Sequence, residues 1–296
     1  MKNSLLFFIT IFLMISGSLM AQELKEEGAE IQQITEGHQF TEGPFWHSDG
    51  FLLYSDIPAN QIYKWTPGGE KEIFLELSGH SNGITADGNG GMITAQHDGK
   101  LSRLSTEGET TILADTYNGN RLNSPNDVAV TSNGTIYFTD PPYGVDDEKR
   151  ELDFSGVYRF KEGWDEPELL YDEFNTPNGI VFSLDENRFY VNDTQTGRIM
   201  VFEVDENGKV SEGSLFAEVG KAAPTGAADG MVVDENGNLY STGPKGIHIF
   251  DKEGNEMETV STPRVTNLEF GTEDNRTLFM TSPAGVYSVR MKVRGN

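Results

Sequence analysis

One pattern recurs six times along the chain and constrains its fold more than any single motif. It consists of an acidic or amide residue, a short apolar strand, a tight turn and a second apolar strand. EGPFWHSDGFLLYSD begins it at Glu42, NGITADGNGGMITAQ at Asn82, NDVAVTSNGTIYFTD at Asn126, NGIVFSLDENRFYVND at Asn178, DGMVVDENGNLYSTG at Asp229 and NLEFGTEDNRTLFMTS at Asn267. Successive copies start 38 to 52 residues apart. A third apolar strand follows each hairpin, from QIYKW at 61–65 to GVYSV at 285–289, and a fourth follows in the first five copies. Such a period with several strands per unit predicts an all-β fold, a six-bladed β-propeller with four-stranded blades.

The sixth copy runs out of chain after Val289. Its missing strand is expected at the other end, where EIQQI at 30–34 precedes Glu42 much as EIFLEL precedes Asn82. An N-terminal strand placed there closes the ring and leaves no unpaired seam between first and last blades. Residues 22–296 are therefore read as one propeller domain.

Residues 1–21 carry Lys2, an apolar run and small residues up to Ala21, the layout of a cleavable export signal. Polar residues interrupt the run, leaving it shorter than the roughly 20 apolar residues of a membrane span. The expected destination is periplasmic or secreted, with no membrane attachment after cleavage. The chain has no cysteine, so neither a disulfide nor a lipid anchor on a thiol is available. Its formal charge of −25 disfavours a polyanionic partner such as nucleic acid and is compatible with cations.

Equivalent positions in equivalent blades stand at equivalent places around one axis. If the lead residues Glu42, Asn82, Asn126, Asn178, Asp229 and Asn267 open their strands at the rim of the central channel, six oxygen-bearing side chains converge. A lone Asn or Asp before a strand is ordinarily a turn residue, and it is the register of six that argues for a site. Two carboxylates and four amides suit a hard divalent cation, calcium foremost, whereas zinc prefers His and Cys. Asn82 and Asn267 could equally close turns. His38, His47 and His248 read as structural or surface residues, and His97 as a candidate for the pocket. There is no GxSxG elbow and no zinc-type histidine pair.

The motifs TEGPFW at 41–46, SNGITAD at 81–87, RLNSPNDV at 121–128, FTDPPYG at 138–144, TPNGIVF at 176–182 and ADGMVVD at 228–234 occur in this order over nearly the whole chain. Together they resemble the gluconolactonase, regucalcin and luciferin-regenerating-enzyme family, and NSPND followed by TDPPYG looks like its bacterial and fungal gluconolactonase branch. The resemblance implies a calcium-dependent hydrolase of sugar lactones, with Glu42, Asn178 and Asp229 matching metal ligands. It matches Asn126 to a position that binds metal or substrate, and Arg121 to one that contacts substrate hydroxyls. Tyr143 is then a wall of the pocket, and Asp127 supports Asn126 from behind. Asp229 is the expected catalytic residue, as a base toward water or as a direct nucleophile. Two rival functions share these features: a non-catalytic binding or scaffold propeller with a structural ion, and an organophosphate or aryl-ester hydrolase.

Overall fold

The computed structural model describes residues 24–296, and the expected export signal at 1–21 lies outside them. Six four-stranded antiparallel sheets follow one another. Blade 1 runs through Thr41–His47, Phe51–Asp56, Gln61–Trp65 and Lys71–Glu76. Blade 2 spans Ser81–Ala86 to Thr110–Ala114, blade 3 Val128–Val130 to Glu168–Phe174, blade 4 Pro177–Phe182 to Ser214–Glu218, and blade 5 Met231–Val233 to Glu256–Ser261. In blade 6, Leu268–Gly271, Thr277–Ser282 and Gly285–Arg290 are completed by Gln32–Glu36 from the other end of the chain.

The closing strand lies two residues later than the sequence pattern placed it. A threonine sets that register. The Thr35 hydroxyl of the closing strand accepts the Val286 amide, and Thr41, at the start of blade 1, ties that blade to the same hairpin by donating Oγ1 to the Ser282 carbonyl.

Burial follows position within a blade. The second strand is almost wholly enclosed, as in IYFTD at Ile136–Asp140, whereas the outermost alternates or is exposed, as in KEIFLE at Lys71–Glu76. Each pair of neighbouring blades shares its own apolar seam. Leu53, Ile62, Ile84 and Met92 join blades 1 and 2, while Leu52, Tyr54, Phe279 and Val286 join blade 1 to blade 6. Burying one such side chain contributes about 1.5–3 kcal/mol, so the ring is held by its seams.

Part of the acidity is structural. Asp87, Asp205, Asp234 and Asp251 each open a hairpin turn and accept the backbone N–H groups two and four residues on. The Asp-x-Asn-Gly sequences at 87, 205 and 234, and Asp-Lys-Glu-Gly at 251, are thus Asx turns that satisfy their own backbone.

Candidate active site

The first strand of each blade faces the axis, and glycines bring these strands unusually close. A Cβ on Gly43 would lie 1.9 Å from the Asn82 carbonyl oxygen, and one on Gly179 would lie 2.2 Å from that of Asp229. Backbone therefore meets backbone between neighbouring blades, which draws the residues just before these glycines together.

Five of the six lead residues, Glu42, Asn82, Asn126, Asn178 and Asp229, line one cavity of about 330 Å³, with His97 and Tyr143 in its wall. Asn267 does not join them. Its Oδ1 accepts the Leu268 amide at 2.8 Å, and it lines a second cavity with Asp127 and Glu269.

A second repeated device fixes the approach to the lead residues. Asp56, Asp140 and Asp193 end the second strands of blades 1, 3 and 4. Each accepts the two backbone N–H groups that lie three and two residues before the lead residue: Gln39 and Phe40, Asn123 and Ser124, Asn175 and Thr176. Charge-assisted bonds of this kind hold the loops above Glu42, Asn126 and Asn178 rigidly.

The amides form a directional relay around the wall. Asn82 Nδ2 donates to Asn126 Oδ1 at 2.5 Å, and Asn126 Nδ2 donates to Asn178 Oδ1 at 2.5 Å. Asn178 Nδ2 donates to Thr194 Oγ1 at 2.9 Å, which donates to the Ala228 carbonyl at 2.8 Å, immediately before Asp229. His97 Nε2 lies 3.1 Å from Asn126 Oδ1, an acceptor, and 3.2 Å from Asn82 Nδ2, a donor, so either tautomer of the ring finds a partner. Burial holds the His97 pKa below its ordinary value, consistent with a neutral ring.

The pocket sets two carboxylates against one cation: Arg264, on the same lining, draws the Asp229 pKa down without outweighing burial. Burial, then the Asp127 charge, pushes Asp229 up to about 8. Glu42 is raised well above its usual range, first by burial and then by Asp229 and Asp127. Tyr143 is pushed up to about 12, chiefly by burial, so its hydroxyl stays protonated.

Two expected site residues point elsewhere. Arg121 is absent from the cavity lining, and its Nη1 donates to the Leu122 and Asn123 carbonyls at 2.6 Å while Nη2 reaches the His97 carbonyl at 3.3 Å. It braces the loop that carries His97. The Asp127 carboxylate accepts the Ile180 amide at 3.2 Å and the Val128 amide at 3.0 Å. It therefore holds the strand of Asn178 in the next blade rather than the Asn126 backbone. His38 and His47 are structural, the first between Asp56 and Tyr54 and the second stacked on Phe51.

Thr194 and Ile57 also line the cavity, and sequence reading passed over them. Both, like His97, are the first residue after the second strand of their blade, so the same repeat read one strand later would have found them. Arg264 lines the cavity from the segment between blades 5 and 6, three residues before Asn267, where blades 1, 3 and 4 carry Gln39, Asn123 and Asn175.

A six-bladed propeller with an oxygen-lined pocket at one end of its channel defines the structural class. The chain matches the family described as SMP-30/Gluconolactonase/LRE-like region over residues 40–284, and it belongs to that family. It is 34% identical to the gluconolactonase of Zymomonas mobilis, over 90% of this chain and 82% of that one. It is 28% identical to a pentonolactonase of Haloferax volcanii, over 82% and 81% of the two chains. Among solved structures, a gluconolactonase from Xanthomonas campestris superposes with a TM-score of 0.82 at 27% identity, covering 90% of this chain and 91% of that one.

Proposed function

We propose that the protein is a metal-dependent hydrolase of sugar lactones, with calcium the expected ion. The observation that carries this reading is the convergence of Glu42, Asn178 and Asp229 on one cavity in a chain related to a gluconolactonase and a pentonolactonase.

The donor set fits a hard cation. Among the described residues no three acidic, histidine or cysteine side chains gather into a metal-binding cluster. The pocket instead pairs two buried carboxylates with amide oxygens, a mixture that calcium accepts. Both carboxylates have raised pKa values, which a divalent charge between them would reverse. Glu42, Asn178 and Asp229 would hold it. Asn178 Oδ1 accepts from Asn126 alone and keeps one lone pair, whereas Asn126 Oδ1 accepts from Asn82 and is faced by His97 Nε2 at 3.1 Å. Asn126 is accordingly assigned to orienting Asn178. When bound there, the ion would supply Lewis acidity toward the lactone carbonyl.

The chain's own residues supply the rest. Water adds to the carbonyl carbon, the ring ester C–O bond breaks with its oxygen taking up the proton that the water gave up, and the product leaves as a hydroxycarboxylate and one proton. Asp229, at the cavity wall, accepts the proton of the attacking water. The neutral His97 and protonated Tyr143 offer hydrogen bonds to substrate hydroxyls. The apolar side of the pocket, with Phe40 and Ile57, limits access of further water. Direct attack by the Asp229 carboxylate is the other route open to it. Single turnover in oxygen-18 water separates the two, since label appearing in Asp229 requires the covalent path.

The decisive experiment follows acid release from gluconolactone at constant pH, with and without calcium, beside Asp229→Ala. Calcium-dependent turnover that the variant lacks supports the reading. Rates equal to spontaneous hydrolysis in both proteins would overturn it and leave a binding propeller. We also propose export, on the pattern of residues 1–21; N-terminal sequencing of the protein from its native host should begin at Gln22.

A further inference from the structure

The chemistry of the pocket changes sign toward its mouth. Its inner residues Glu42, Asn126 and Asn178 are buried, whereas Pro58 and Arg264 on the same lining are exposed. Arg264 places Cζ 5.9 Å from the centre of the Phe40 ring, which itself lines the cavity. Elsewhere Arg103, Arg159, Arg188, Arg198 and Arg290 lie 2.5 to 3.2 Å from a carboxylate oxygen. Arg264 has no carboxylate oxygen that close among the described residues, as is also true of Arg121, Arg150, Arg276 and Arg294, and the acid it acts on, at longer range, is Asp229.

A guanidinium laid against an aromatic ring, with no carboxylate in direct contact, at the mouth of a binding pocket is ready to receive an anion. The surrounding field makes this position informative. A chain of formal charge −25 repels anions at long range, so a local cation is needed to admit one. A divalent ion held by Glu42 and Asp229 would take up the Asp229 charge that otherwise acts on Arg264, and free the guanidinium for an incoming anion. The cavity of about 330 Å³ lies at the small end of the range for small-molecule sites, the size for one sugar ring and its substituents.

We propose that Arg264 selects lactones bearing an anionic group, a carboxylate or a phosphate, at the end remote from the ring ester. The inference rests on the lactone-hydrolase reading and adds to it the charge of the substrate. The ester end occupies the oxygen-lined interior, and the distal anion meets the guanidinium at the mouth.

The test compares kcat/KM for gluconolactone, the lactone of glucaric acid and phosphogluconolactone in the wild type, Arg264→Gln and Arg264→Lys. The wild type should favour one of the two charged lactones, and the one it favours identifies the anion. In Arg264→Gln the charged-to-neutral ratio should fall about tenfold, the scale of one charge-assisted hydrogen bond pair. Arg264→Lys should retain part of the ratio, because the charge remains while the planar fork is lost. A ratio unchanged in Arg264→Gln would overturn the proposal. Failure of the wild type to accelerate any of the three would instead overturn the lactone reading. In that case calorimetric binding of glucarate against gluconate decides the role of Arg264, and equal affinities for the two acids would sink it.

Discussion

Asn126 donates Nδ2 to Asn178 Oδ1 across 2.5 Å, and so the amide that the repeat placed on the ion serves as a hydrogen-bond donor to its neighbour. The two roles predict opposite responses to Asn126→Asp. An aspartate adds charge and would strengthen calcium binding if residue 126 were a ligand. As a donor to Asn178 it fails, because a carboxylate only accepts. Calcium affinity by titration calorimetry should therefore fall about 10–100-fold in both Asn126→Asp and Asn126→Ala, with lactonase activity falling alongside.

Removing the ion should be felt as stability. A ligand present at about 100 times its dissociation constant adds roughly 2.7 kcal/mol to the folded state. Chelation should lower Tm in the wild type and calcium should restore it. Glu42→Gln should narrow that gap, because one of the two pocket carboxylates is gone. A Tm indifferent to calcium in the wild type would remove the basis for a metal at this site.

The metal-free protein should lose stability as pH rises. Burial pushes Asp127 up to about 7 and Glu269 up to about 8. In the unfolded chain both ionise near pH 4, so the folded state holds more protons over the interval between. The stability they contribute is present below about pH 4 and disappears as pH climbs through the folded values. Thermal melts in chelator from pH 4 to 9 should show Tm falling across that window, with a shallower slope in Glu269→Gln. A Tm that rises over the same range would contradict it.

Gly43 and Gly134 both have positive φ, yet substitution should separate them. A Cβ at Gly43 would lie 1.9 Å from the Asn82 carbonyl oxygen, whereas one at Gly134 meets nothing within 4 Å. Gly134→Ala should cost about 1 kcal/mol, from conformation alone. Gly43→Ala should cost about 1–3 kcal/mol more, by overpacking, and disturb Glu42 beside it. Urea denaturation of both variants measures the difference.

What the sequence disclosed depended on repetition. Strands that return at the same offset in every blade could be read, as could the lead residues, because six aligned positions outweigh the turn propensity of any one. The direction of a side chain could not. Arg121 is sequence-adjacent to the site yet turns its guanidinium to backbone carbonyls, and Asn267 packs against Gly230 and hydrogen-bonds Glu42 without reaching the cavity lining. Thr194 and Ile57 belong to a second aligned ring that the lead residues overshadowed. Arg264 was invisible for a different reason: it stands where blades 1, 3 and 4 carry Gln39, Asn123 and Asn175, and only the closed fold brings it beside Phe40.

The amide relay from Asn82 to the Ala228 carbonyl crosses blades 2, 3, 4 and 5 in order. Propellers are modular, and a chain of this kind could in principle gain or lose a whole repeat. Here an inserted or deleted blade would change the angular step around the axis and break the relay at one of its links. The pocket thus fixes the blade number from within. Change is left to the irregular segments at the mouth, where a single residue can alter what is admitted without disturbing the ring beneath.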